Sequence, residues 1–342
     1  MATHPQNLGK TSLVYHLAWM YSDLGLRVLA VDLDPQANLS AAFLDEDRLE
    51  EIWEGNSVPN TIFRCVKPLI RGTGDILAPQ LEIIPWESSV NDENLALLVG
   101  DLSLSGFEDE LSAEWPGCMD RKERSFRVIS AFARLIQSAA QSHQADIVLA
   151  DLGPNLGAIN RAALIACDAV VVPLSPDLFS LQGLKNLGPT LKRWREEWQE
   201  RLEKNPAPDL ILPSGKMQPL GYIVLQHSVR LDRTVKAYQR WIERIPAVYR
   251  EAVLFKEREN RIPRPTEDPY CLGLLKNYQS LMPMAQEAHK PMFHLKPADG
   301  ALGAHLHAVH GVYKAFQSLA MKIAELVSIP IAVIPTGEES IR

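Results

Sequence analysis

The sequence predicts an α/β protein: a doubly wound, mostly parallel sheet with helices on both faces. Three observations carry that prediction. Short apolar runs are bounded by polar residues, stretches of helical periodicity separate them, and two of the runs close on aspartates followed by turn residues. The 342 residues are 46% apolar and 23% charged, which excludes a disordered, collagen-like or coiled-coil chain. No apolar run reaches the roughly eighteen residues of a membrane span. Met1 to Leu8 lack the basic-then-apolar pattern of a secretory signal, and Cys65, Cys118, Cys167 and Cys271 lie far apart in sequence. The expectation is a reduced, cytoplasmic protein with no membrane attachment.

The elements follow in order. Gly9-Lys10-Thr11-Ser12 opens a helix in which Leu13, Leu17, Met20, Tyr21 and Leu24 recur at helical spacing, with Gly25 as a stop. Arg27 to Asp34 is short and apolar, as suits a strand buried on both faces. Residues 39–57 read as an acidic helix, and Leu81 to Pro85 as a strand. Residues 90–125 are polar and read as an insertion. Residues 126–142 form a helix, Ala145 to Asp151 a strand, and 156–167 a helix. Ala169 to Leu174 form the next buried strand. Leu181 to Leu202 make a long helix with Trp194 and Trp198 as anchors, Leu220 to Leu225 a strand, and 231–252 a basic helix. A Pro-rich loop covers 257–270. The last helix, 301–327, places Leu306, Val309, Val312, Tyr313, Phe316, Leu319 and Ile323 on its buried face. The whole chain, 1–342, reads as a single domain with an insertion around 90–125 and a basic region around 228–265.

In such sheets ligands bind beyond the carboxyl ends of the strands. Three segments collect there: Gly9-Lys10-Thr11, Asp32-Leu33-Asp34-Pro35-Gln36, and Asp151-Leu152-Gly153-Pro154-Asn155. Phosphate binding calls for a lysine, a hydroxyl for Mg²⁺ and free N–H groups at a helix N-terminus. A carboxylate at a neighbouring strand end can hold Mg²⁺ through water or orient an attacking water.

Those segments resemble the ParA family of deviant Walker A P-loop ATPases, which includes plasmid and chromosome partition proteins. Gly9-Lys10-Thr11-Ser12-Leu13 is similar to the end of the family's Lys-Gly-Gly-X-Gly-Lys-Thr loop. Asp32-Leu33-Asp34-Pro35-Gln36 is the most diagnostic string, and Asp151 with Gly153-Pro154-Asn155 resembles the Walker B strand and its turn. The resemblance runs from about Leu8 to about Leu326. It implies Lys10 and Asp34 as catalytic residues, with Asp34 positioning the hydrolytic water. Gly9, Lys10, Thr11, Ser12, Pro173 and Gln226 would contact ATP, and Thr11, Asp32 and Asp151 would hold Mg²⁺, partly through water. It also implies a homodimer in the ATP state, nonspecific DNA as a ligand and a partition-type partner protein. A DNA-facing row is read from Arg230, Arg233, Lys236 and Arg240, whose spacing puts them along one side of a helix; Ser228 to Pro265 carries ten Lys/Arg against five Asp/Glu.

The chain departs from the family at its start. Pro5 stands where the family has its signature lysine, Gln6 and Asn7 stand at the glycine pair, and no recognisable first strand precedes the loop. A loop that brings backbone N–H groups close to phosphate favours glycine, and proline removes a donor. Three readings stay open: an altered start, a nucleotide-blind relative that binds without catalysis, or a weakened site that still takes ATP.

Overall fold

The computed structural model describes residues 9–55, 58–85, 93–227, 239–257, 262–276, 278, 281–301 and 303–331. In chain order the main elements are α1 (Lys10–Asp23), β1 (Val28–Asp32), α2 (Asn38–Phe43), α3 (Glu46–Glu54), α4 (Ile62–Arg71), β2 (Glu82–Ile83), β3 (Leu95–Leu98), α5 (Phe107–Gly117), α6 (Glu123–Ile129), α7 (Ala131–His143) and β4 (Ile147–Asp151). They continue with α8 (Ala158–Ala166), β5 (Ala169–Leu174), α9 (Leu178–Leu202), β6 (Gln218–His227), α10 (Ile245–Ala252), β7 (Cys271–Lys276), α11 (Leu281–Glu287) and α12 (Ala304–Leu326).

The strands form two sheets, β2-β3-β1-β4 and β5-β6-β7. Every pairing is parallel except that of β2 with β3, where Glu82 faces Leu97 across a short antiparallel edge. Parallel strands need helical crossovers that cover both faces, and β1 reads accordingly as Val-Leu-Ala-Val-Asp, buried throughout. Alternation along β1 splits its side chains: Val28 and Ala30 enter one core with α1, α11 and α12, while Leu29 and Val31 enter the opposite core with α4 to α9. A third cluster joins β5 and β6 to α9 and α10 through Leu181, Leu184, Tyr222 and Tyr249. Such an α/β/α arrangement is the doubly wound class the sequence predicts.

Several elements differ from expectation. Residues 90–125 are not a polar insertion over the described part, 93–125. Leu95–Leu98 is a fully buried strand beside β1, and Trp115 of α5 stacks on Trp198 with ring centroids 6.0 Å apart. The Arg161 and Arg201 guanidinium carbons sit 4.2 and 4.1 Å from the Trp115 ring centroid, tying α5 to α8 and α9 by cation–π contact. The expected strand over Leu81 to Pro85 shrinks to two residues at a sheet edge. The expected helices over 39–57 and 126–142 each divide, the second at Ser130, whose hydroxyl donates back to the Phe126 carbonyl at 2.7 Å. β7 was not read from sequence. Leu306, expected on a buried face, is 41% exposed, whereas Val312, Phe316, Leu319 and Ile323 of the same helix are buried. Of the basic region, 239–257 and 262–265 lie within the described residues, with α10 the named helix there.

Candidate nucleotide site

β1 and β4 are neighbours in register, so their last residues, Asp32 and Asp151, are ladder partners. The chain leaves both strands at the same end. Leu33 N–H donates to the Asp151 carbonyl at 3.0 Å, which keeps the turn after β1 against the end of β4. α1 begins at that end as well: Lys10 Nζ donates to the Gly153 carbonyl at 3.0 Å. Gly9, the N-cap of α1, provides no side-chain acceptor, and the first turn holds no acidic residue. The N-terminal N–H groups and the positive end of the helix dipole therefore have no built-in counter-charge from their own turn.

Lys10 sits among carboxylates. Burial lowers its pKa, while the charges of Asp151 and Asp34 act in the opposite direction and hold the proton. Asp34 is buried, and its Oδ1 receives the Gln36 N–H at 3.0 Å, an Asx turn that shapes the Pro35-Gln36 corner. Gly153 packs directly on it: a Cβ at Gly153 would lie 3.4 Å from Asp34 Oδ1. Lys10, Asp34, Asp151 and Gly153 thus meet at one point.

The two strand-end aspartates differ in what occupies their oxygens. Asp32 Oδ2 accepts from Ser40 N–H and Ser40 Oγ, both at 2.8 Å, and Oδ1 accepts from Asp34 N–H at 3.3 Å. Gly100 closes the other side; a Cβ there would come within 2.8 Å of Asp32 Cγ. Burial pushes the Asp32 carboxyl up to about 7 in spite of those donors, with the Asp151 charge adding to the rise. Asp151 Oδ2 is buried with no hydrogen-bond partner. Burial, with the Asp34 charge, raises this carboxyl to about 6, while the Thr11 hydroxyl and Lys10 hold it down. A buried, unpartnered carboxylate oxygen beside a threonine hydroxyl is an oxygen donor set that fits Mg²⁺. Asp32, by contrast, has both oxygens engaged by donors from Ser40 and Asp34.

Ser12 presents its carbonyl to His16 Nδ1 at 2.6 Å, and His16 Nε2 accepts the Met292 N–H at 3.1 Å. That pair of bonds places the proton on Nδ1. Complete burial lowers the pKa of the ring to about 4, so it stays neutral and braces the first turn of α1 against the segment after α11. Pro173 is half-buried near the end of β5, opposite Ile223, and Gln226 lies near the corresponding end of β6. Both are therefore at strand ends in the second sheet. Arg240 is exposed, with its guanidinium carbon 5.5 Å from the Trp241 ring centroid. Arg230, Arg233 and Lys236 lie outside the described residues.

Four residues near the site were missed in the sequence. Ser40 and Gly100 enclose Asp32. Asn160 Nδ2 donates to the Gly153 carbonyl at 2.8 Å and to the Asn155 carbonyl, fastening the turn after β4. Glu108 of α5 accepts from the Ala158 and Ile159 N–H groups and caps α8. The available signal was weak: a serine eight residues after Asp32, and a glycine closing an apolar run at Leu95 to Gly100.

A lysine at a helix N-terminus beside strand-end aspartates on a parallel sheet is the plan of a P-loop nucleotide-binding protein. A family model described as an AAA domain matches residues 7–204, and the chain belongs to that family, as a P-loop ATPase of the ParA type. The chromosome partitioning protein ParA of Caulobacter vibrioides is 28% identical over 203 residues, 59% of this chain and 65% of the relative. A putative replication protein A of Rhizobium rhizogenes is 29% identical over 180 residues, 52% of this chain and 39% of the relative. The matches thus span less than two thirds of these relatives. Among solved structures, a Corynebacterium diphtheriae protein shares the fold with a TM-score of 0.63 at 22% identity, covering 94% of this chain and 96% of its own. An ATP complex of a Cyanothece McdA variant does so with a TM-score of 0.55 at 14% identity, covering 95% and 94%. Among the described residues no helix is long and apolar enough to cross a membrane.

Proposed function

We propose that this chain binds Mg²⁺-ATP at the ends of β1 and β4 and acts as a ParA-type partition or positioning ATPase. The observation that carries the reading is the meeting of Lys10 with Asp34 and Asp151, where Asp151 Oδ2 is buried without a partner. In this reading Lys10 turns from the Gly153 carbonyl to phosphate, and the N–H groups at Gly9 to Ser12 receive phosphate oxygens. Thr11 and Asp151 hold Mg²⁺, directly or through water; the ion, when bound, neutralises phosphate charge. Asp34, fixed by the turn at Gln36 and by Gly153, orients the attacking water. Pro173 and Gln226 border the adenine. An ATP-bound homodimer, nonspecific DNA contact through Arg230, Arg233, Lys236 and Arg240, and a partition-type partner protein belong to the same proposal.

A second reading has its own observation. Pro5, Gln6 and Asn7 replace the lysine and glycine pair of the family loop, which favours a binding protein without turnover. Calorimetric titration of Mg²⁺-ATP into the chain and into Lys10→Ala, followed by a phosphate-release assay, separates the two. Saturable binding weakened at least about 100-fold by Lys10→Ala is expected, since a charge-assisted lysine–phosphate contact is lost. Binding without phosphate release supports the second reading, and no binding to the unmodified chain defeats the first.

A further inference from the structure

We propose that Asn160 is the residue that lets Lys10 leave the Gly153 carbonyl for phosphate. The two side chains share that carbonyl, and Asn160 keeps it bonded when the ammonium goes. The inference rests on the ATP reading above and gives Asn160 a positioning role within it. Gly153 is buried. Its carbonyl oxygen accepts from Lys10 Nζ at 3.0 Å and from Asn160 Nδ2 at 2.8 Å. A carbonyl oxygen has two lone pairs, so both donors are held at once.

The two donors differ in freedom. Lys10 stands at the first position of α1 and carries its ammonium on a long, flexible stem. Asn160 is buried in the first turn of α8. On either side of it Ile159, Ala162 and Ala163 are part of the core with α5 and α7, and Glu108 of α5 holds the Ala158 and Ile159 N–H groups. The Asn160 amide also donates to the Asn155 carbonyl, so it clips both ends of the Gly153-Pro154-Asn155 turn. It stays in place while Lys10 moves.

The amide is oriented so that its nitrogen meets two carbonyls. Its Oδ1 is then buried with no hydrogen-bond partner among the described residues. Turning the amide over would set that oxygen against the same two carbonyls, which cannot donate. A buried acceptor without a donor is costly. The side chain is therefore placed for what its NH2 group does, which is to hold the turn.

Without Asn160 the exchange has a different balance. Lys10 would be the only donor to the Gly153 carbonyl among the described residues. Its departure would strand a buried acceptor, and that penalty would oppose nucleotide binding. The turn would also lose its fastening beside Asp34, whose Oδ1 lies 3.4 Å from where a Gly153 Cβ would stand. With Asn160 in place, the departure of Lys10 removes one of two bonds, and the wall beside Asp34 stays fixed.

Two cycles on the full chain test this, each with Lys10→Ala, Asn160→Ala and the double variant, folding being checked by circular dichroism. The first is urea unfolding without nucleotide. Either single variant leaves one donor on the Gly153 carbonyl and the double leaves none. The double should therefore raise the unfolding constant about tenfold beyond the product of the two singles. The second is titration with Mg²⁺-ATP. Asn160→Ala should weaken binding about tenfold where Lys10 is present, and less than about twofold in the Lys10→Ala background, which has no ammonium to release. A turn that needs Asn160 only for its shape would lose affinity equally in both backgrounds. Asn160→Leu, which keeps the volume and removes the donor, takes over both cycles if Asn160→Ala does not fold. If Lys10→Ala binds too weakly to titrate, the unfolding cycle decides alone. Additive unfolding effects, or equal affinity losses in the two backgrounds, overturn the proposal and leave the ATP reading standing. A parent chain that binds no Mg²⁺-ATP defeats that reading, and the proposal with it.

Discussion

β1 and β4 run side by side and end on paired aspartates, Asp32 and Asp151. Both carboxyls are pushed upward by burial, to about 7 and about 6. The ends nonetheless differ in what surrounds each carboxyl. At the end of β1 the carboxyl is enclosed by Ser40, the Asp34 N–H and Gly100, with a donor on each oxygen. At the end of β4 one oxygen has no partner, and the Lys10 ammonium and the Thr11 hydroxyl stand beside it. Position at a strand end does not by itself mark a ligand-binding carboxylate. What marks it is an oxygen that the protein leaves unsatisfied at a cost in stability.

The largest expected effect is at the enclosed end. Asp32→Ala leaves Ser40 N–H, Ser40 Oγ and Asp34 N–H without their acceptor, and at about 1–3 kcal/mol per buried orphan it should cost about 3–5 kcal/mol in urea unfolding. A loss below about 1 kcal/mol would show that Asp32 is not a structural keystone. The pH dependence comes next. A folded-state pKa above the unfolded value of 3.8 means that the folded chain holds the extra proton, so the stability it brings is complete below pH 3.8 and is lost as pH rises through the folded value. For Asp151 that window runs from pH 3.8 to about 6, and for Asp32 to about 7. Asp151→Asn should remove the lower part of that fall, about 2–3 kcal/mol, leaving the variant more stable than the parent at pH 7. An unchanged stability–pH profile in Asp151→Asn contradicts the assignment.

Gly100→Ala presses a methyl group against Asp32 Cγ and should cost about 1–3 kcal/mol, read as a lower Tm. The same change at Gly153 meets Asp34 at ordinary contact distance, so Gly153→Ala should fold almost as well as the parent. Equal losses in the two variants would remove the packing difference between the strand ends. Glu108→Ala, which uncaps α8 away from both aspartates, should cost about 1 kcal/mol without altering the stability–pH profile between pH 4 and 7.

Much of the fold was legible because β1, β4, β5 and the long α9 are continuous apolar or periodic segments whose pattern is local. β3 was not legible: Leu95–Leu98 is only four residues long, lacks β-branched side chains and sits in polar surroundings. β7 hides likewise, with Gly273 inside the strand and a Pro-rich loop ahead of it. Lys10, Asp34 and Asp151 were legible as residues at the ends of elements. Their division of labour was not, because Gly100 closes on Asp32 across 68 positions of sequence and Glu108 reaches Ala158 across 50. Such partners follow from strand order, and the strand order required the missed β3.

The contrast between the two strand ends is tested most directly by titrating ATP, with and without Mg²⁺, into the chain, Asp151→Asn and Asp32→Asn, with the fold of each variant checked by circular dichroism. The account predicts that Asp151→Asn weakens Mg²⁺-ATP binding at least about tenfold and leaves Mg²⁺-free ATP binding unchanged, while folded Asp32→Asn changes Mg²⁺-ATP binding less than about threefold. The reverse order of the two variants, or equal effects in both, would contradict it.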